Sequence, residues 1–258
     1  MSEKYVRFEH QGREHLGVLR SSGEVAVIEG ALFADKRLTG DHVALSNVRL
    51  LSPIVAPRIF GIGANYHAAI KQLNGTVPER PLVFTKPSTA VIGPDADIIY
   101  PRGSTVVLFE GELAVVIGRQ GRHIPKERAI DHIFGYTCGN DLTERMLQLA
   151  ELKAGSMCVS KGFDSFAPLG PCIATGLDPA DVSIVSKVNG EIRQNGHTSD
   201  MVFDVPALIA YLSAAITLLP GDVIMTGTPA GFGPVSPGDR IEIELSGIGI
   251  LSNRVIPE

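Results

Sequence analysis

Apolar residues fall mainly in short runs rich in valine, isoleucine and leucine, and glycine or proline separates one run from the next. Such runs, bounded by turn residues, are typical of β-strands. Residues 241–245, Ile-Glu-Ile-Glu-Leu, alternate strictly between apolar and charged, as a half-buried strand does. Residues 114–117 and 182–185 indicate further strands, and Pro-Gly-Asp sequences at 220–222 and 237–239 predict turns that precede strands.

The N-terminal part of the chain has the pattern of a small β-rich unit. Two strand-like runs flank a polar turn at residues 11–13 and predict a hairpin, and residues 25–28 indicate a third strand. A short helix is expected near Leu32. Residues 51–57 contain two prolines, which disfavour helix, and we interpret them as a linker. The predicted units are a small N-terminal domain, residues 1–55, and a main domain, residues 56–258.

Few segments carry a helical pattern. The candidates are residues 126–133, 143–153 and 205–215, and the last of these is apolar on most sides. The predicted fold class is therefore mainly β with some α.

Composition excludes several classes of protein. The chain has 258 residues, of which 44% are apolar, so a packed globular fold is expected. A formal charge of -5 gives no indication of nucleic-acid or anionic-membrane binding. No apolar run approaches the ~18 residues of a membrane-spanning helix, and the charged N-terminus lacks the apolar core of a secretory signal. We therefore expect a cytoplasmic protein.

The cysteines give a second indication of this compartment. They are odd in number and have no CxxC spacing, which predicts reduced, structural thiols rather than a zinc site. These residues are Cys138, Cys158 and Cys172.

The first indication of chemistry is a pair of glutamates at the start of an apolar strand. If the strand at residues 114–117 extends back to Glu110, then Glu110 and Glu112 point to the same face, because side chains alternate along a strand. Two like charges entering an apolar strand are costly unless a positive charge compensates them. Asp141, at the end of another strand-like run, offers a third carboxylate. Such oxygen ligands suit Mg²⁺, Mn²⁺ or Ca²⁺, whereas the alternative is an ordinary solvated strand face.

With these motifs the chain resembles the fumarylacetoacetate hydrolase family. Glu-x-Glu-Leu-Ala-Val-Val-Ile-Gly at residues 110–118 and Gly-Tyr-Thr-x-x-Asn-Asp at residues 135–141 match the family's metal-binding signature. Residues 161–171, 188–201 and 227–231 match later family blocks, so the likeness covers most of the chain.

The resemblance implies a fold, a metal and several site residues. Family members have a mixed β-roll with a small N-terminal domain, and they are usually homodimers or higher oligomers. It implies that Glu110, Glu112 and Asp141 bind Mg²⁺ or Mn²⁺. By the same resemblance, Lys161 lies beside the metal and the substrate oxygens as a catalytic residue, and Thr228 contacts the carboxylate of a bound 2-oxo acid. We accordingly predict a homodimer that binds a small 2-oxo acid and neither nucleic acid nor membrane.

Three further residues are predicted to bind substrate. Arg145 and Gln148 follow Asp141 at spacings that share one helix face, and similar positions hold substrate oxygens in related enzymes. The alternative for Arg145 is an exposed helix charge. Lys86 matches a family lysine in the substrate region, and its alternative is a surface-loop lysine.

The chain departs from the family at one motif. Many members carry Asn-Tyr-x-x-His-x-x-Glu, in which the histidine and the glutamate activate water. Starting from Asn65, these two positions hold Ala69 and Gln72, and neither side chain deprotonates water. His67 is displaced by two positions, and it is either a replacement catalytic base or a partly exposed residue of this segment.

Three functions follow as alternatives. The leading prediction is a Mg²⁺-dependent enzyme acting on a C–C bond of a small 2-oxo acid, such as an acylpyruvate hydrolase, with Lys161 and His67 as catalytic residues. The second is a decarboxylase or isomerase of a 2-oxo or 2-hydroxydienoic diacid, as in the breakdown of aromatic acids. Its enolate chemistry requires a cation but no attacking water. The third is a non-catalytic binding protein, and the costly carboxylate cluster argues against it.

Overall fold

The computed structural model describes residues 2–258 and confirms the mainly β class. The strands are β1 Lys4–His10, β2 Arg13–Leu19, β3 Glu24–Gly30, β4 Lys36–Ala44, β5 Arg49–Leu51, β6 Ile59–Gly63, β7 Leu82–Lys86, β8 Val91–Ile92, β9 Ile98–Tyr100, β10 Val107–Phe109, β11 Gly111–Ile117, β12 Ile133–Asn140, β13 Thr143–Glu144, β14 Ala167–Ala174, β15 Ser183–Val188, β16 Glu191–His197, β17 Val223–Met225, β18 Gly233–Val235, β19 Arg240–Leu245 and β20 Gly249–Pro257. The α-helices are α1 His67–Gln72, α2 Arg145–Lys153 and α3 Val205–Ala215.

Three sheets contain these strands. The largest is 12-stranded and runs in the order β4-β3-β2-β1-β14-β12-β11-β17-β6-β7, with β5 paired to β1 and β8 paired to β14. A 5-stranded sheet has the order β16-β15-β19-β20-β9, and a 3-stranded sheet has the order β13-β10-β18. Neighbouring strands are mostly antiparallel, whereas β17 and β6, β14 and β8, and β20 and β9 are parallel pairs.

Strand β11 lies in the interior of the large sheet and is buried at every position. Its unbroken apolar run at residues 114–117 is typical of a strand covered on both faces. The antiparallel strand β12 pairs with it from Gly111 opposite Asn140 onwards. This pairing brings the N-terminal end of β11 beside the C-terminal end of β12, and the site forms there.

The predicted N-terminal hairpin is confirmed as β1 and β2, and the third predicted strand is β3. The prediction of a helix near Leu32 is wrong. Residues 31–35 form a short turn between β3 and β4, in which the Ala31 amide donates to the Asp35 carbonyl. Leu32 is buried because the turn packs it against the core, and five connecting residues are too few for a helix of normal length.

The helix predicted at 143–153 begins two residues late, because Thr143 and Glu144 pair with β10 as strand β13. The Glu144 side chain then accepts a hydrogen bond from the Leu147 amide and caps α2. Residues 126–132 form a 3-10 helix, and the helix predicted at 205–215 is confirmed. Among the described residues, no helix is long and apolar enough to cross a membrane. The division at residue 55 stays a prediction.

Candidate active site

Three carboxylates meet where β11 and β12 pair. Glu110 lies between β10 and β11, Glu112 is the second residue of β11, and Asp141 follows β12 directly. The Asp141 amide donates to the Glu110 carbonyl over 2.9 Å, which fixes the two backbones together. One oxygen of each carboxylate lies within 4.8 Å of the others. Glu112 and Asp141 are each only 1% exposed, so the alternative of a solvated strand face is wrong.

Two buried lysines contact this cluster. Lys86 Nζ donates to Asp141 Oδ1 over 2.5 Å and to the Leu142 carbonyl over 3.1 Å. Lys161 Nζ donates to Asp141 Oδ2 over 2.5 Å and to Glu110 Oε2 over 2.9 Å. Lys86 is the last residue of β7 and is buried, so the alternative of a surface-loop lysine is wrong.

The electrostatics leave Glu112 without a cationic side-chain partner among the described residues. Burial, together with the charges of Asp141 and Glu110, raises the pKa of Glu112 well above its ordinary value. Burial also raises the pKa of Glu110, although Lys161 opposes that shift. Burial disfavours ionised Asp141 as well, but Lys161 and Lys86 outweigh it and lower the pKa of Asp141. The cluster therefore has one uncompensated carboxylate.

This donor set fits a hard divalent cation. Three convergent carboxylates offer only oxygen, which Mg²⁺ and Mn²⁺ prefer. Glu112 Oε2 accepts one hydrogen bond, from the Gly227 amide at 2.8 Å, and its other oxygen remains available for a cation. A cation at this position would compensate the charge that the lysines leave.

A cavity of about 90 Å³ opens above the carboxylates and receives most of the predicted substrate residues. Arg145 and Gln148 reach it from α2, and Arg145 Nη1 donates to Gln148 Oε1 over 2.6 Å. Arg145 is thus not an isolated exposed helix charge. Thr228 also lines the cavity, and its hydroxyl donates to the Gly111 carbonyl over 2.8 Å. Lys86 lies behind the cavity lining, in contact with Asp141.

Helix α1 covers the cavity with apolar side chains. Ala69 and Ile70 line it, as does Leu73 immediately after the helix. The structure does not bring His67 to this site, because His67 is the exposed first residue of α1 and lies outside the cavity lining. Gln72 is exposed at the other end of the helix.

Sequence reasoning missed one residue that organises the site. Gln194 is buried, and its Oε1 accepts from the Gly111 amide at 3.0 Å. Its Nε2 donates to the Thr228 hydroxyl over 2.7 Å and to the Pro229 carbonyl over 2.8 Å. Gln194 therefore joins the strand that carries Glu112 to the loop that carries Thr228. Gln194 lies in the family block at residues 188–201, which marks the segment, but its place in the mostly exposed strand β16 does not indicate its hydrogen-bond partners.

Two of the three cysteines have the burial expected of structural thiols. Cys138 and Cys172 are buried, Cys158 is exposed, and all three are free.

Comparisons with known proteins identify relatives over nearly the whole chain. The model of the "Fumarylacetoacetate (FAA) hydrolase C-terminal" family matches residues 58–256, and that of the "Rv2993c-like, N-terminal" family matches residues 3–53. Protein Rv2993c of Mycobacterium tuberculosis is 44% identical over 227 residues, which cover 87% of this chain and 84% of that protein. The mitochondrial oxaloacetate tautomerase FAHD2A of Homo sapiens is 38% identical over 82% of this chain and 70% of its own length.

Solved structures give the same result for the fold. The 2-hydroxyhepta-2,4-diene-1,7-dioate isomerase of Mycobacterium marinum superposes with a TM-score of 0.91 at 38% identity, covering 99% of each chain. A maleylpyruvate hydrolase from Sphingobium sp. SYK-6, in complex with manganese (II) and pyruvate, has a TM-score of 0.81 at 31% identity and covers 98% of this chain and 99% of its own. These matches confirm the predicted fold, and the chain belongs to the fumarylacetoacetate hydrolase family of enzymes.

Proposed function

We propose that this enzyme interconverts the enol and keto forms of a small 2-oxo diacid such as oxaloacetate, at a site that holds Mg²⁺ or Mn²⁺. The observation that carries the proposal is the apolar roof of the cavity. Ala69, Ile70 and Leu73 line the cavity together with the carboxylates, and Ala69 stands at the motif position where many family members carry the histidine that activates water. Tautomerisation needs no attacking water, so such a roof suits it. The 38% identity to an oxaloacetate tautomerase supports the same reaction.

Glu110, Glu112 and Asp141 would hold the cation. When bound, it supplies positive charge that stabilises an enolate oxygen of a 2-oxo acid. The related hydrolase structure that contains manganese (II) and pyruvate supports this choice of metal and of substrate class. Lys86 holds Asp141 Oδ1 from behind and keeps that carboxylate turned toward the other two.

Lys161 is the residue to which we assign proton transfer. Burial disfavours the Lys161 ammonium, but Asp141 and Glu110 outweigh it and raise the pKa of Lys161 above its ordinary value. A cation held by those carboxylates would oppose that rise and make the ammonium a better proton donor to carbon, whereas the Arg145 guanidinium stays protonated. We propose that Lys161 Nζ binds an enol oxygen and exchanges a proton with the adjacent carbon. Arg145 offers a bidentate partner for a substrate carboxylate.

Thr228 has a more restricted role in this proposal. Its hydroxyl proton is already donated to the Gly111 carbonyl, and its oxygen accepts from Gln194. A substrate carboxylate would have to compete with the Gly111 carbonyl for that proton.

Hydrolysis of an acylpyruvate is the second candidate, favoured by the 31% identity to a maleylpyruvate hydrolase. It requires a base near the cavity. His67, which lies on the outer side of α1, would have to turn inward to act as that base.

Product analysis distinguishes the two candidates. The purified enzyme is given enolic oxaloacetate and, separately, an acylpyruvate, each with Mg²⁺ and with EDTA. We expect Mg²⁺-dependent acceleration of ketonisation, seen as loss of enol absorbance, with the acylpyruvate intact. Lys161→Gln should lose this activity, and the exposed Lys71→Gln variant serves as the matched control. Release of pyruvate and a carboxylic acid would favour the hydrolase, and release of CO₂ would favour a decarboxylase.

A further inference from the structure

We propose that Gln72 is a specificity-determining positioning residue whose side-chain amide fastens α1 to residues 227–232 and keeps water away from the reacting carbon. The contact between Gln72 and this loop is defined by its hydrogen bonds, whereas its effect on the reaction rests on the proposed tautomerase function. Gln72 does not touch the carboxylates, and it acts through the position of α1.

Both ends of the Gln72 amide are used. The Gly231 amide donates to Gln72 Oε1 over 2.7 Å, and Gln72 Nε2 donates to the Phe232 carbonyl over 3.1 Å. A glutamine side chain supplies one acceptor and one donor group, which this pair of backbone groups requires. An ionised glutamate supplies acceptors only and would face the Phe232 carbonyl with a second oxygen. The position thus selects for an amide.

The two ends of α1 are fixed differently. At the N-terminal end, the Ala68 amide donates to Asp200 Oδ2 over 3.0 Å, and Tyr66 forms a β-bridge with Met201. At the C-terminal end, the side-chain hydrogen bonds found among the described residues are the two that Gln72 makes. A helix of six residues has little stability of its own, so such contacts determine where it lies.

The loop that receives Gln72 packs closely against Arg193 and is joined to the carboxylate cluster. Gly231 has a φ of +96°, and a Cβ there would lie 1.9 Å from the Arg193 carbonyl oxygen, so only glycine fits. Earlier in the same loop, the Gly227 amide donates to Glu112 Oε2. Gln72 therefore connects the cover of the cavity to the segment that holds one of the carboxylates at its base.

The position of α1 over the cavity favours tautomerisation of an enol over hydrolysis. Phe232, Ile70 and Leu73 line it together, so holding α1 on Phe232 keeps an apolar surface over the substrate. In tautomerisation an O–H bond breaks, a C–H bond forms at the adjacent carbon, and no co-reactant is consumed. Hydrolysis would instead need water to attack a carbonyl and break the C–C bond. Excluding water from a closed site suppresses that side reaction.

The contact is tested by hydrogen–deuterium exchange of the full-length protein. In Gln72→Ala, both hydrogen bonds are lost, and we expect amide exchange in residues 67–73 to accelerate about tenfold, which corresponds to about 1.4 kcal/mol. Gln72→Glu keeps the acceptor, so its amide exchange rate in this segment should lie between those of wild type and Gln72→Ala. Lys71→Gln, an exposed neighbour on the same helix, is the matched control and should exchange as wild type does. Unchanged exchange in Gln72→Ala would overturn the contact.

The effect on the reaction is tested with the same variants and an acylpyruvate. Releasing α1 would let His67 turn toward the cavity and act as the base that hydrolysis requires. We therefore expect Gln72→Ala to release pyruvate at least tenfold above the wild-type background and to raise KM for oxaloacetate, while its affinity for Mg²⁺ alone stays unchanged. A purely structural role would lower all activities together and release no extra pyruvate, which would overturn the specificity claim. If the wild type fails to tautomerise oxaloacetate but α1 exchanges faster in Gln72→Ala, the contact stands and the proposed function fails.

Discussion

Among the carboxylates of the site, Glu112 has the greatest need of a cation. Its neighbours Glu110 and Asp141 share Lys161, and Asp141 also contacts Lys86, whereas Glu112 accepts only the Gly227 amide. Burial disfavours its ionised form, as the raised pKa indicates. A bound divalent ion would reverse this preference. Such an ion would thereby offset the cost of keeping Glu112 buried.

Glu112→Gln is therefore expected to abolish Mg²⁺ binding while the protein stays folded. The amide keeps an acceptor for the Gly227 N–H but removes the charge. For wild type, Mg²⁺ at a hundred times its Kd should raise the free energy of unfolding by about 2.7 kcal/mol. Thermal unfolding with Mg²⁺ and with EDTA measures this difference, with the exposed Glu79→Gln as control. A Mg²⁺-dependent rise in Tm in Glu112→Gln would contradict the assignment.

Tyr66 presents the opposite case, a buried polar atom without a partner. Its side chain is 0% exposed, and among the described residues its hydroxyl makes no hydrogen bond of normal geometry, since the nearby Thr226 hydroxyl donates to the Leu113 carbonyl instead. Leaving a buried hydroxyl unpaired costs free energy. We expect Tyr66→Phe to raise the free energy of unfolding by about 1 kcal/mol. Tyr5→Phe removes a hydroxyl that donates to Glu3, so this substitution should lower the free energy of unfolding. Chemical denaturation of both variants measures the difference, and a destabilised Tyr66→Phe would refute the argument.

At the scale of elements, local patterns predicted strands well and their edges poorly. The apolar runs that became β11 and β19 carry their own signal, because burial on one or both faces dictates the residue types. Thr143 and Glu144 continue the helical pattern of α2, but pairing with β10 holds them in a strand. Such pairing depends on a segment distant in the sequence, so the local residue pattern does not predict it.

The site residues also differ in how far the sequence predicts them. Glu110, Glu112 and Asp141 could be predicted because strand periodicity and a family resemblance both point to them. The family motifs point to the positions of Gln72 and Gln194 but not to their hydrogen-bonding roles, because the partners Gly231 and Gly111 lie far away along the chain. His67 was named from its residue type, and the orientation of α1 leaves it outside the cavity.

Helix α2 is joined to the segment that precedes Lys161 by one carboxylate. Glu151 accepts hydrogen bonds from the Val159 amide over 2.8 Å and from the amide and hydroxyl of Ser160. Partial burial works against its ionisation, but these donors outweigh it and lower the pKa of Glu151. The segment thus acquires a charge-dependent anchor next to the proposed proton-transfer residue.

This anchor predicts a pH-dependent stability. Because the pKa of Glu151 is lower in the folded state, its stabilisation is complete above the unfolded value of about 4.3 and is lost as the pH falls through the folded value. Wild type should exceed Glu151→Gln in Tm at pH 7, and the difference should shrink below about pH 4. Thermal unfolding across this range measures it, with the exposed Glu191→Gln as control. A difference that does not vary with pH would contradict the role of the charge.

At the scale of the whole molecule, the N-terminal strands extend the main sheet. Strand β1 pairs with β14, with Lys4 opposite Ala174 and Tyr5 opposite Ile173. Both hydrophobic clusters of the core combine residues from the first 55 with residues of the main part, Phe8 in one and Ile28 in the other. A sheet and a core that cross the predicted boundary favour one cooperative unit.

Removing residues 1–55 should therefore leave a chain that does not fold stably. It would expose the edge of β14 and the core surface that Phe8 covers, and unpaired strand edges promote aggregation. We expect the full chain to unfold in one calorimetric transition and the chain of residues 56–258 to be aggregated or to melt well below it. The single substitution Phe8→Ala offers a soluble comparison and should cost about 3–5 kcal/mol in the same transition. Two separate transitions in the full chain, or a truncated chain with unchanged Tm, would instead establish residues 1–55 as an independent domain.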